Sequence, residues 1–266
     1  MITKLNMGIA GTAFATVIAQ GFSVILCVFY ILYKAKLLIP ERESFSIGTA
    51  KIGKIYRELI SQGFSMALMH TLVSSGTVIL QSAINGFGTL IIASHIAARK
   101  IFSLTTTVLF TISMASSTFT SQNYGAGKLD RVKNGVKIAV CITTGYSLIL
   151  LLLSPLIVNP LFKFISGSAH PEVLAYGRQY LYFAFPFFIV LGVLVVLRNA
   201  LQGLGAKILP LISSLSELLG KILFTIFIIP KMGITGIILC EPLIWCVMTA
   251  QLIWAFFKQL RKVAGK

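Results

Sequence analysis

Two carboxylates stand inside long apolar runs. Glu217 has Lys221 four residues later, and Glu241 is followed directly by Pro242. A charge at mid-membrane costs about 2.5–3.5 kcal/mol on insertion scales, so these are the first residues in which to look for chemistry. A Glu–Lys pair at i, i+4 shares a helix face and can neutralise itself. Glu217 could exchange a proton or cation, or the pair could pin its helix to a neighbour. Pro242 has no N–H, which frees the Ile238 carbonyl. That carbonyl and Glu241 would offer the oxygen ligands that Na⁺ prefers. The plainer reading is a packing kink near the external headgroups. His95 and Arg99 lie one turn apart, with Lys100 adjacent. Histidine titrates near neutrality, which permits proton coupling. Arg99 would repel a bound cation. The plainer reading makes His95, Arg99 and Lys221 structural polar groups.

Two uncharged sets complete the inventory. Gln62, Ser65, His70, Thr71, Ser74, Ser75, Thr77 and Gln81 share one apolar stretch. Inside a bilayer such groups must face protein or water. His70 and Gln81 could therefore line a cavity, or the set could tie helices together weakly. Tyr176, Tyr180, Phe183 and Phe187 follow one another at offsets of 4, 3 and 4, on one helical face. Aromatic faces attract cations by about 0.5–2 kcal/mol, so Tyr180 and Phe183 could hold an organic cation. Plain packing explains the same stripe.

These residues need helices that cross lipid. Of the 266 residues, 56% are hydrophobic and 11% charged, with a mean hydropathy of +0.91. An average soluble domain carries about 25% charge, so an ordinary soluble domain, a disordered chain and a coiled coil are excluded. A membrane helix needs about 20 apolar residues. Seven stretches qualify, near residues 8–32, 62–83, 89–117, 136–158, 173–197, 208–229 and 234–257. The expected fold is an all-α polytopic membrane protein. Alternating strands of a β-barrel are not apparent. Pro186 should kink the fifth stretch. Residues 34–60 read as a polar linker. Ile52, Ile55, Tyr56, Leu59 and Ile60 predict a short amphipathic helix there, lying on the membrane surface. Asn85–Gly88 and Asn123–Gly127 read as tight turns.

The net charge of +16 would suggest nucleic acid in a soluble chain. Here the cations cluster between apolar runs and report topology. Lys34, Lys36, Arg42, Lys51, Lys54 and Arg57 follow the first stretch. Lys128, Arg131, Lys133 and Lys137 follow the third, Arg198 and Lys207 the fifth, and Lys258, Arg261, Lys262 and Lys266 the last. Lys4, Lys163, Arg178 and Lys231 fall on the opposite side. The richer side is expected to be cytoplasmic, which puts the C-terminus inside and the N-terminus of this chain outside. An external start behind a single lysine suggests that an even-numbered set of helices is missing. No nucleic-acid partner is expected; the partner is the bilayer of an inner or plasma membrane.

Four segments in order give a resemblance: Gly8–Ala15 (GIAGTAFA), Gly86–Arg99 (GFGTLIIASHIAAR), Ser121–Arg131 (SQNYGAGKLDR) and Leu197–Gly220 (LRNALQGLGAKILPLISSLSELLG). Together they resemble helix six, the opening of helix eight, the loop after it and the junction of helices ten and eleven in the multidrug and toxic compound extrusion (MATE) family. The resemblance implies two six-helix lobes working by alternating access. Residues 1–33 would then be the last helix of a missing N-terminal lobe. Residues 34–60 would be the interlobe linker, 61–257 the six-helix C-terminal lobe and 258–266 a basic cytoplasmic tail. It also implies export of cationic or amphipathic compounds in exchange for Na⁺ or H⁺, with no other cofactor. Some relatives carry acidic residues in their seventh and tenth helices. The corresponding seventh-helix position falls near Val73, and residues 173–197 contain no Asp or Glu. The coupling residue of the resemblance is thus in doubt.

No GxSxG, His/Glu zinc motif or phosphate loop occurs, and the four cysteines form no CxxC pair. An enzyme is not expected, and neither is a metal. Two rival readings are a flippase for a lipid-linked carrier, which would need a cationic cavity, and a non-transporting membrane fragment.

Overall fold

The computed structural model describes residues 7–36, 39, 49–167 and 170–264. Among them the regular structure is helical throughout, and seven helical stretches are long and apolar enough to span a membrane. The chain divides into two compact units, Met1–Glu58 and Leu59–Lys266.

The first unit contains α1 (Gly8–Tyr33), with no charged residue along its 26 positions. Its apolar side chains, Phe14, Phe22, Val24 and Phe29 among them, are exposed. A helix apolar all round belongs in lipid or in a core. Residues 37, 38 and 40–48 of the expected linker lie outside the described residues. Its second half does not form a separate surface helix. Ile52–Ile60 lie on α2 (Thr49–Asn85), which runs unbroken for 37 residues into the second span. No proline interrupts Thr49–Asn85, so nothing stops the intrahelical ladder at the expected boundary.

In the second unit α3 (Thr89–Gly125) and α4 (Leu129–Ser166) follow α2. Gly88 (φ 89°) and Gly127 (φ 71°) take the left-handed backbone at the two reversals between them. The fifth stretch is α5 (Pro171–Ala184), a 3₁₀ turn at Phe185–Phe187 and α6 (Phe188–Gly203), with the break at the expected Pro186. The sixth is α7 (Ile208–Leu223), a π turn at Phe224–Ile228 and α8 (Ile229–Met232). The last is α9 (Ile234–Ala264), which contains Pro242.

The core runs along α5, α6 and α9. Phe162, Phe185, Phe188, Leu194, Leu201 and Met248 are among the largest fully buried side chains. α3 packs against α4, α5 and α6, α6 also packs against α4 and α9, and α7 packs against α9. Polar ties cross these contacts. Tyr146 donates to the Thr105 carbonyl (2.8 Å), Ser94 to the Val173 carbonyl (2.6 Å) and Asn199 to Ser113 Oγ (3.2 Å). The α6–α7 turn is tied to α2: Ser65 donates to the Lys207 carbonyl (2.9 Å) and Lys207 to Ser61 Oγ (3.0 Å). Most of the Thr71 and Thr77 hydroxyl capacity goes back to their own helix, at the Ala67 and Val73 carbonyls. Of the expected polar set, Gln62, Ser65 and Thr77 make the hydrogen bonds that cross to other helices, with Ser61 beside them.

α3 and α6 meet most closely at Gly203, where an added Cβ would stand 2.6 Å from the Ser117 carbonyl oxygen. Backbone cannot step aside there as a flexible side chain could. Gly203→Ala is therefore expected to force the helices apart and to destabilise the fold by about 1–3 kcal/mol, the usual cost of overpacking. Unfolding in mixed micelles by SDS titration measures it; an unchanged midpoint would contradict this packing.

Candidate functional site

Five charged side chains from four helices meet in the interior of the second unit. Arg99 comes from α3, Arg198 from α6, Glu217 and Lys221 from α7, and Glu241 from α9. They form one alternating line. Arg99 Nη1 lies 2.7 Å from Glu241 Oε2; Lys221 Nζ lies 3.6 Å from Glu241 Oε1 and 3.0 Å from Glu217 Oε1. Arg198 Nη2 closes the line at 3.5 Å from Glu217 Oε2. Lys221 is 2% exposed, Glu217 6% and Glu241 8%. Ions this deep persist only when paired and hydrogen-bonded.

Neighbouring hydroxyls complete the pairing. Tyr180 of α5 accepts from Arg99 (3.3 Å) and donates to Glu241 Oε2 (3.2 Å). Thr77 of α2 accepts from Lys221 (3.3 Å), and Ser213 accepts from Arg198 Nε (3.1 Å). The Lys221 stem passes over Gly76, whose missing side chain leaves it room: an added Cβ would lie 3.0 Å from Lys221 Cδ. His95 pairs with the Tyr176 hydroxyl at 2.9 Å and sits edge-on to the Tyr180 ring.

A cavity of about 550 Å³ opens beside this line. Arg99, Arg198, Glu217, Lys221 and Glu241 form its charged wall; Met66, Met69, Phe102, Leu194, Trp245 and Met248 form much of the apolar one. Methionines make an adaptable apolar lining, and the volume suits a drug-sized molecule. A void of about 30 Å³ lies on the far side, lined by Gln81, His95 and Tyr180. Thr77, Arg99 and Glu241 border both spaces. The Arg99–Glu241 end of the ionic line thus touches both spaces.

The expected site residues separate accordingly. Glu217, Glu241 and His70 line the large cavity, as does Val73. Gln81 and Tyr180 line the small void. Phe183 lines neither: it stacks on Phe187 at 5.4 Å and packs on the edge of the core. The aromatic stripe therefore does not form one face of a pocket. Tyr180 turns to the ionic line, Tyr176 to His95 and the two phenylalanines to packing. His95, Arg99 and Lys221 belong to one polar assembly, whereas Lys100 is exposed and outside it. The Glu217–Lys221 pair exists, but it is not self-contained, because Lys221 also serves Glu241. Glu241 is buried, with Arg99, Lys221 and Tyr180 around it. Pro242 lies inside α9 without ending the helix.

Sequence reasoning misplaced one residue and missed a pair. Arg198 had been assigned to the α6–α7 connection as a topology signal. It lies inside α6, with its side chain 12% exposed. The hint was available: Glu217 and Glu241 need more compensation than Lys221 supplies. Phe102, Phe110 and Trp245 are the aromatic residues lining the cavity, and Phe102 and Trp245 stack at 5.8 Å. The Arg99 guanidinium already covers the Phe102 ring at 4.5 Å.

Removing one member should cost more than removing a pair. Glu241→Ala would leave Arg99 and Lys221 sharing too little negative charge in an apolar wall. A loss of about 3–5 kcal/mol in stability is expected, read by SDS unfolding in micelles. A loss below about 1 kcal/mol would contradict the pairing.

Comparison with known proteins agrees with this architecture. The sequence profile of the MatE family matches residues 65–227. Probable multidrug resistance protein YpnP of Bacillus subtilis (strain 168) is 26% identical over 215 residues, which is 80% of this chain and 46% of YpnP. The crystal structure of MATE in complex with MaL6 superposes with a TM-score of 0.87 at 17% identity, over 100% of this chain and 59% of that one. The Vibrio cholerae MATE transporter VcmN in the bent form gives 0.78 at 17% identity, over 98% and 58%. A MOP superfamily transporter from Pyrococcus furiosus, described as having a binding pocket of reverse polarity that suggests a different function, gives 0.79 at 17% identity, over 99% and 59%. The chain spans about half the length of the curated relative. With the profile covering most of the second unit and the fold shared end to end, this chain is a multi-pass helical membrane protein of the MatE family.

Proposed function

We propose that the chain is the C-terminal part of a secondary active exporter of amphipathic compounds. It would be driven by Na⁺ or H⁺ and would alternate access between two lobes. The observation that carries this reading is the 550 Å³ cavity with one charged wall and one methionine-rich wall. A pore for a small ion needs no such apolar volume, and a purely structural bundle would close it. Family membership and the multidrug-resistance name of YpnP support the same reading. The Lys- and Arg-rich ends of the helices favour a cytosolic C-terminus in the plasma or inner membrane.

Coupling would act through the ionic line. Both oxygens of Glu241 already face cations, and Glu217 faces Lys221 and Arg198. A proton or Na⁺ arriving at either carboxylate must displace one of these partners. That displacement would loosen α7 from α9 or α6, which is the kind of two-state element a coupled transporter needs. Small organic cations, the class implied by the family resemblance, would find the Phe102 face taken by Arg99. The surplus of cations over carboxylates in the cavity favours a second reading, a flippase for a lipid-linked carrier.

Everted vesicles test the exporter. Uptake of the neutral amphipath N-phenyl-1-naphthylamine by everted vesicles holding the protein with both lobes is expected to follow an imposed Na⁺ or H⁺ gradient and to collapse with it. The 266-residue chain alone is expected to give none. Gradient-driven uptake by the chain alone would contradict the half-transporter reading, and gradient-independent uptake by both lobes would contradict antiport.

A further inference from the structure

Among the described residues the wall of the large cavity holds Arg99, Arg198 and Lys221 against Glu217 and Glu241. The cavity thus carries one positive charge in excess. The excess has a definite location. Arg99 and Glu241 make a 2.7 Å pair, and Lys221 and Glu217 a 3.0 Å pair. Arg198 is left over: its Nη2 is buried, stands 3.5 Å from a carboxylate already held by Lys221, and has no hydrogen-bond acceptor. A buried guanidinium nitrogen without an acceptor is costly, and it recruits an anion readily.

We propose that this cavity is a binding site for an amphipathic anion, whose carboxylate or phosphate docks on Arg198 while its apolar body lies against Met69, Leu194 and Met248. The proposal rests on the reading above that the cavity is where the exported molecule sits. Glu217 keeps Lys221 as its partner when Arg198 turns to a ligand. The ligand therefore gains a charge-assisted hydrogen bond without stranding a carboxylate. An organic cation would meet the opposite balance: an excess positive charge and an aromatic face already covered by Arg99.

The test is equilibrium binding to the 266-residue chain in dodecylmaltoside micelles. Two fluorescent probes of equal length are used: 11-(dansylamino)undecanoate, and the dansyl undecyl analogue ending in trimethylammonium. The carboxylate probe is expected to bind at least about tenfold more tightly, the scale of one charge-assisted hydrogen bond. Arg198→Gln is expected to abolish that preference, Arg198→Lys to keep most of it, and Lys100→Gln, outside the cavity, to leave it unchanged. Competition by farnesyl phosphate against undecanoate tells a lipid phosphate from a fatty acid; displacement by either supports the site. Equal affinity for the two wild-type probes, tighter binding of the ammonium probe, or an Arg198→Gln variant that keeps the preference overturns the proposal. The wild-type comparison needs no variant to fold. Tighter ammonium binding would leave the exporter reading standing, because that reading fails only on gradient dependence.

Discussion

The second unit depends on keeping five ions in a place where lipid and apolar side chains tolerate none. Charges at mid-membrane are costly singly, and their mutual attraction offsets that cost only when geometry is close. Here the geometry comes from alternation. Arg99, Glu241, Lys221, Glu217 and Arg198 follow one another at 2.7–3.6 Å, and no two like charges are direct partners. The line joins α3, α9, α7 and α6, while Tyr180 and Thr77 add α5 and α2. Six helices are therefore oriented by one set of contacts. Dispersion packing between apolar helices in lipid gives no comparable directional preference.

That arrangement also explains how a single assembly can be both structural and functional. Each carboxylate is shared by two cations, so neither pair is independent of the next. A ligand or proton at one end changes the partnering of Lys221, and Lys221 connects both carboxylates. The Arg99–Glu241 end of the line borders both the large cavity and the small void, so a rearrangement there acts on both spaces. Close helix approach at Gly203 and the room left by Gly76 hold the framework rigid around it.

Much of this was legible in the residues. Seven spans, the turns before Gly88 and Gly127 and the break at Pro186 follow from apolar length and from residues with restricted or unusual backbone. The importance of Glu217, Lys221, Glu241, His95 and Arg99 follows from the cost of charge in lipid. What the sequence could not show was partnership across helices. Periodicity identifies which residues share a face of one helix, but not which faces meet. The Glu217–Lys221 spacing therefore suggested a closed pair, when Arg198 and Glu241 complete it. Arg198 followed a long apolar run and was read as the start of a loop; α6 continues to Gly203 and carries it inward. The helix 49–85 was divided because its polarity changes at residue 60, whereas its backbone has no reason to stop there.

The central claim is that the ions act as one coupled unit. A double-mutant cycle of Glu217→Gln and Lys221→Met in SDS unfolding tests it most directly. The account predicts that the double variant is more stable than the sum of the single losses implies, by about 1.5 kcal/mol or more, because each single change strands its buried partner. Losses that add within about 0.5 kcal/mol would mean that the two side chains do not depend on each other, and would contradict it.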